Sequence, residues 1–151
     1  QGYSSAASDV YKRQVKDINP SQLCLAGSSL GGFYATWLAE KIGCRAILFN
    51  PATEPWCVIN DYLGVQPIAN TGRTIEVKPE FADQAKSMHC EIIHPERYLV
   101  FLSTADEVLD WHKAQKKYSA CRQILLPENT HEITDFEQCL PEIEHFAAAN
   151  Q

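Results

Sequence analysis

Positive charge is scarce in this chain, and no stretch stays apolar for long. Thirteen Lys and Arg stand against 19 Asp and Glu, a formal net charge of −6. That balance argues against nucleic acid or an anionic membrane as a partner. Lys113-Ala-Gln-Lys116-Lys117 is a basic cluster that reads as a solvated helix face. No apolar run approaches the ~20 residues of a membrane span, and no signal-peptide core opens the chain. Cys24, Cys44, Cys57, Cys90, Cys121 and Cys139 show neither C-x-x-C pairing nor zinc spacing. They are expected to be reduced thiols of a cytoplasmic protein with no metal site. Neither G-x-G-x-x-G nor G-K-[ST] occurs, so no phosphate-cradling loop is expected. Internal repeats and low-complexity tracts are missing too.

What is present is one soluble globular domain's worth of chain, 45% hydrophobic, organised around residues 23–32. Leu23-Cys-Leu-Ala26 is a short, ungapped apolar run, as expected of a strand buried on both faces. It continues as Gly27-x-Ser29-x-Gly31 directly into a helical pattern. The bare motif arises by chance in roughly one chain of this length in twenty, so its context decides. Strand, turn and helix in that order form the setting of a nucleophile elbow. A serine at so tight a turn is held in strained backbone, and bulky residues at 27 or 31 would collide with strand or helix. The Leu30 N–H, at the helix start, is aimed at a developing oxyanion.

Along the chain, Leu30, Phe33, Tyr34, Trp37, Leu38 and Ile42 recur at helical spacing, with Gly43 as the cap. Arg45–Phe49 reads as the next buried strand, stopped by Asn50-Pro51. Residues 52–97 are broken by prolines and by an Asn70-Thr71-Gly72 turn. Brief helices at Asp61-Tyr-Leu-Gly64 and Phe81–Met88 are the elements expected in this cap-like insertion. Tyr98–Leu102 is a further strand, 107–119 a helix, Cys121–Leu126 the last strand. A terminal helix over 136–149 carries Leu140, Ile143, Phe146 and Ala147 on its apolar face. Residues 1–14 lack any periodicity and read as a non-native leader, leaving 15–151 as the domain.

A serine hydroxyl needs a histidine base, and the base an anionic orienter. In a parallel sheet these come from loops at the carboxyl ends of strands. Ser103-Thr-Ala-Asp106-Glu107 follows one strand and Pro127-Glu-Asn-Thr-His131 the next. Ser29, Asp106 and His131 therefore stand in the chain order of this hydrolase class. Asp106 also suits the N-cap of the following helix, and Glu107 and Asp110 are alternative acids, Asp110 a turn into that helix. His112 and His145 fall on helices, and His89 and His94 precede a strand.

With these residues in hand the chain resembles the YqiA/YcfP-like esterases of the α/β-hydrolase superfamily. The resemblance runs through Gly27–Leu38, Asn50-Pro-Ala52, Asp61–Gly64, Thr71-Gly72, Asp106–Asp110, Ala120–Gln123, Asn129-Thr-His131 and Phe136-Glu137. It implies an α/β-hydrolase-type parallel sheet flanked by helices. It also implies hydrolysis of a small-molecule carboxylic ester or acyl thioester without a cofactor, with Ser29, Asp106 and His131 as the triad. The family's opening strand and His-Gly loop have no counterpart here, so an N-terminally truncated domain with the elbow strand at an edge is expected. A non-catalytic hydrolase-fold protein acting by binding or oligomerisation is the alternative.

Overall fold

The computed structural model describes residues 15, 17–68 and 71–148. The expected leader 1–14, Asn70 of the expected turn and residue 149 of the expected last helix lie outside the described residues. In chain order the elements are β1 (Cys24–Ser28), α1 (Leu30–Ile42), β2 (Arg45–Phe49), α2 (Trp56–Ile59), β3 (Gly64–Ile68) and β4 (Arg73–Val77). There follow α3 (Glu80–Ser87), β5 (Tyr98–Ser103), α4 (Trp111–Lys117), β6 (Arg122–Leu126) and α5 (Leu140–Ala148). They fall into two compact units, one of residues 18–53 and 90–148, the other of residues 54–89.

The larger unit is a four-stranded sheet in the order β1-β2-β5-β6, with every pair parallel. Helices cover both of its faces, and strand alternation decides which residues meet them. Ala46 and Leu48 of β2, with Tyr98, Val100 and Leu102 of β5, pack with Ala35 and Ala39 of α1 and Ala114 of α4. Ile47, Leu99 and Phe101 face the other way, toward Cys139 and Phe146. Because both faces are covered, β5 is buried throughout, which explains the uninterrupted apolar run from Tyr98 to Leu102. Among the described residues β1 stands at the edge of the sheet, as expected, and is not the fully buried strand that its apolar run alone suggests. It alternates between half-buried and exposed residues, because among the described residues it pairs with β2 alone.

Gly43 ends α1 as expected, in left-handed backbone (φ 82°), with its N–H donating to Ala39. The helix expected over 107–119 is shorter, beginning only at Trp111 with Asp110 as its N-cap. Leu140 does not join the buried stripe of the last helix and is 40% exposed, whereas Cys139 is fully buried. A 3-10 turn over Phe136–Cys139 precedes α5 and rotates that face. No helix among the described residues is long and apolar enough to cross a membrane.

The smaller unit holds a hairpin that the sequence pattern did not reveal. β3 and β4 pair antiparallel, Gly64 opposite Val77 and Ile68 opposite Arg73. Pro67 interrupts the alternation of β3; a two-stranded ribbon tolerates it because each strand has a free edge. The brief helix expected at Asp61–Gly64 is instead a 3-10 turn over Asn60–Tyr62 that gives way to β3. The other expected helix, Phe81–Met88, corresponds to α3.

Candidate active site

The register of the larger sheet sets Ser28 beside Phe49 and Phe49 beside Phe101. The loops leaving β1, β2, β5 and β6 therefore begin along one edge. Ser29 occupies the turn from β1 into α1 at φ 52° and ψ −122°, a conformation that costs a non-glycine residue energy unless neighbours hold it. They do so on both sides. Its N–H donates to the carbonyl of Phe49 at 3.0 Å, and its carbonyl accepts from the N–H groups of Gly32, Phe33 and Ala52.

The surrounding glycines divide differently from the expectation. A Cβ on Gly27 would lie 2.4 Å from the Gly31 carbonyl oxygen, so this position requires glycine. On Gly31 a Cβ would meet nothing within 4 Å, and the expected collision there is absent. The second tight position is Gly32, one residue beyond the motif, where a Cβ would come 2.7 Å from that of Pro51. Leu30 is the first residue of α1, so its N–H points out of the positive end of that helix.

The other two strand ends converge on Ser29. The loops after β5 and β6 are tied together, Thr104 N–H donating to Leu126 and Ala105 N–H to Asn129. This sets Asp106 beside His131. The His131 Nδ1 lies 3.0 and 2.9 Å from the two carboxylate oxygens of Asp106. Its Nε2 lies 3.0 Å from the Ser29 Oγ. A proton on Nδ1 satisfies both contacts, leaving Nε2 to accept from the serine hydroxyl. The Asp106 side chain is 1% exposed and that of His131 16%, so water competes little for the pairing.

Asp106 caps a turn rather than a helix. Its Oδ1 accepts from the N–H groups of Val108 and Leu109 at 2.9 and 2.8 Å. The helix cap falls to Asp110, which accepts from His112 N–H and so does not sit a turn inside the helix. Glu107, weighed as an alternative acid, takes the backbone of the histidine instead, accepting from His131 N–H at 2.9 Å. Two adjacent acids thus share one histidine, Asp106 at the ring and Glu107 at the main chain.

Sequence reasoning missed Asn50. It is 3% exposed and adopts φ 44° at the end of β2. Its Nδ2 donates to the Ser103 Oγ at 2.9 Å and to the His131 carbonyl at 3.0 Å. Its Oδ1 accepts from Ser103 N–H at 2.7 Å. The signal was positional, since every other strand of this sheet contributes a polar residue just past its carboxyl end. In the sequence Asn50 stands in an Asn-Pro strand stop, which accounts for it without a role in the site.

Among the described residues, no three or more His, Cys, Asp or Glu gather as a metal site. A hydroxyl, an imidazole and a buried carboxylate in series allow the serine proton to pass to Nε2 as Oγ bonds to an electrophile.

Residues 1–148 match the family described as an uncharacterised protein family, UPF0227. The chain belongs to UPF0227. Among curated proteins it is similar to YfhR of Salmonella typhimurium, described as uncharacterised, with 28% identity over 130 residues. That alignment covers 80% of this chain and 44% of the relative. YfhR of Escherichia coli O157:H7 is 27% identical over 128 residues, covering 79% and 41% respectively. This UPF0227 chain thus spans less than half the length of the curated relatives it matches. Among solved structures, the esterase domain of a Rhodothermus marinus protein aligns with a TM-score of 0.61 at 18% identity. It covers 96% of this chain and 65% of that one. Est1E of Butyrivibrio proteoclasticus with bound ferulic acid gives 0.63 at 17% identity, covering 97% and 66%. These likenesses establish the α/β-hydrolase fold.

Proposed function

We propose that this chain carries the catalytic residues of a serine hydrolase that cleaves carboxylic ester or thioester bonds. The observation that carries the reading is the unbroken series Ser29 Oγ, His131 Nε2, His131 Nδ1, Asp106 carboxylate, each step at 2.9–3.0 Å. Ser29 Oγ attacks the acyl carbon while its proton moves to His131 Nε2. Asp106 holds the ring in register and stabilises the imidazolium. The Leu30 N–H, at the head of α1, donates to the oxyanion. Collapse of the tetrahedral intermediate expels the alcohol or thiol, which takes the proton back from Nε2 and leaves an acyl-enzyme on Oγ. Water, deprotonated by the same nitrogen, releases the acid and restores the serine. Fold-level similarity to esterases supports the class of reaction, and the ferulic acid bound to Est1E makes aromatic acyl esters sensible first substrates.

A fluorophosphonate probe tests the reading directly. The Ser29 oxygen displaces fluoride from phosphorus and its proton goes to His131. Labelling at Ser29, abolished in Ser29→Ala, is the expected result. A folded wild-type chain that stays unlabelled and hydrolyses neither p-nitrophenyl acetate nor methyl ferulate would overturn it, and would favour a binding role for the fold.

A further inference from the structure

We infer that Asn50-Pro51-Ala52 fixes the separation of Ser29 and His131, with Asn50 as the positioning residue of the base; the inference rests on the hydrolase reading above. His131 belongs to no helix or strand, so its ring position depends on what holds its main chain. Its carbonyl accepts from the Asn50 amide at 3.0 Å. Two residues on, Ala52 N–H donates to the Ser29 carbonyl at 2.9 Å. Between them Pro51, fully buried, sits against Gly32 in the first turn of α1. Three consecutive residues thus reach nucleophile and base at once.

The segment is itself anchored. Asn50 N–H donates to the Phe101 carbonyl at 2.9 Å, and each of its side-chain polar atoms is partnered: Nδ2 by the Ser103 Oγ, the His131 carbonyl and, at 3.4 Å, the Thr130 carbonyl, and Oδ1 by the Ser103 N–H. Buried polar groups satisfied this fully have one low-energy arrangement, because any shift strands a donor away from water. The φ of 44° suits asparagine, which tolerates left-handed backbone better than other side-chain-bearing residues. Asn50 therefore acts through His131 and touches no reacting atom. Displacing a base by about 1 Å costs up to ~100-fold in rate with binding little changed.

The experiment compares wild type with Asn50→Gly, Asn50→Asp and Ser103→Ala in the full chain. Glycine keeps the left-handed backbone and removes the amide. Aspartate keeps the acceptor for Ser103 N–H and replaces the donor facing the His131 carbonyl with an oxygen. Fluorophosphonate labelling rate, kcat and KM for p-nitrophenyl acetate are measured, with thermal unfolding alongside. In both Asn50 variants labelling and kcat should fall by ~10–100-fold, with KM within about threefold. Ser103→Ala leaves the bond to His131 in place and should lose stability without that loss of rate. A wild type unlabelled at Ser29 overturns the hydrolase reading. A labelled wild type whose Asn50 variants react at its rate overturns the positioning role alone. Should both variants fail to fold, deuterium exchange of the Asn50 side-chain amide in wild type decides. Slow exchange supports the pin, and exchange as fast as a surface asparagine overturns it.

Discussion

Gly32 lies so close to Pro51 that a methyl group on the glycine would come within 2.7 Å of the proline Cβ, while Gly31 beside it faces open space. Gly31→Ala should be tolerated, and the helix preference for alanine should offset any loss to within about 1 kcal/mol. Gly32→Ala forces Pro51 away from the elbow and should cost about 1–3 kcal/mol as an overpacked site. Gly27→Ala meets backbone at 2.4 Å and should be the worst of the three. Urea unfolding of the three variants checks the ranking. Equal destabilisation by Gly31→Ala and Gly32→Ala would contradict it.

The different weights of these glycines mark where sequence pattern stops being informative. The elements of the sheet were legible because β2 and β5 are covered on both faces, and their buried stretches Ala46–Leu48 and Tyr98–Leu102 are apolar at every position. Gly43 was legible because a helix end needs left-handed backbone. The side on which a glycine is crowded depends on Pro51, which arrives from another strand, and no spacing rule contains that. Asn50 was hidden for the same reason: its partners lie 53 and 81 residues away. The β3–β4 hairpin escaped because Pro67 breaks its alternation. Asp106 and His131 were readable from their positions after strands, but the division of labour between Asp106 and Glu107 was not.

That division makes a sharp comparison between neighbouring acids. Asp106→Asn upsets the orientation and tautomer of the ring and should lower kcat by roughly 10³–10⁴. Glu107→Gln retains an oxygen able to accept from His131 N–H at an exposed position. It should therefore change the rate by no more than about threefold, the weight of a modest hydrogen bond. Steady-state kinetics on p-nitrophenyl acetate separate the two. A large loss in Glu107→Gln with a mild one in Asp106→Asn would reverse their roles.

His131 Nε2 stands 3.0 Å from the Ser29 Oγ, so His131→Ala removes the group that takes the serine proton and should lose most of the turnover. Fluorophosphonate labelling and p-nitrophenyl acetate kinetics on the variant provide the check, and a near-normal rate would assign the base to another residue.

The buried thiols predict an alkaline response. Burial pushes Cys44 and Cys121 up to about 11, from an ordinary value of 9.0. Between those values the unfolded chain gives up protons that the folded chain keeps, so stability falls as pH rises. Their contribution is fully present below pH 9 and is lost toward pH 11. Tyr98 and Tyr118, also raised mainly by burial, steepen the loss. Melting temperatures at pH 8, 9.5 and 10.5 should descend. At pH 8.5 iodoacetamide should modify exposed Cys57 well before Cys44 or Cys121. Early modification of Cys44 in folded protein would refute the assignment.

Ser29 and His131 touch across 102 residues of chain, whereas Asp106 and His131 are only 25 apart. Closing the longer loop carries the larger entropic cost and brings no local reward along the way. Contact between hydroxyl and imidazole should accordingly be among the last to form during refolding and among the first to go under denaturant. Reactivity at Ser29 then counts completed molecules: in a refolding experiment it should lag behind recovered helix signal, and the lag measures the time taken to join the two ends of the sheet.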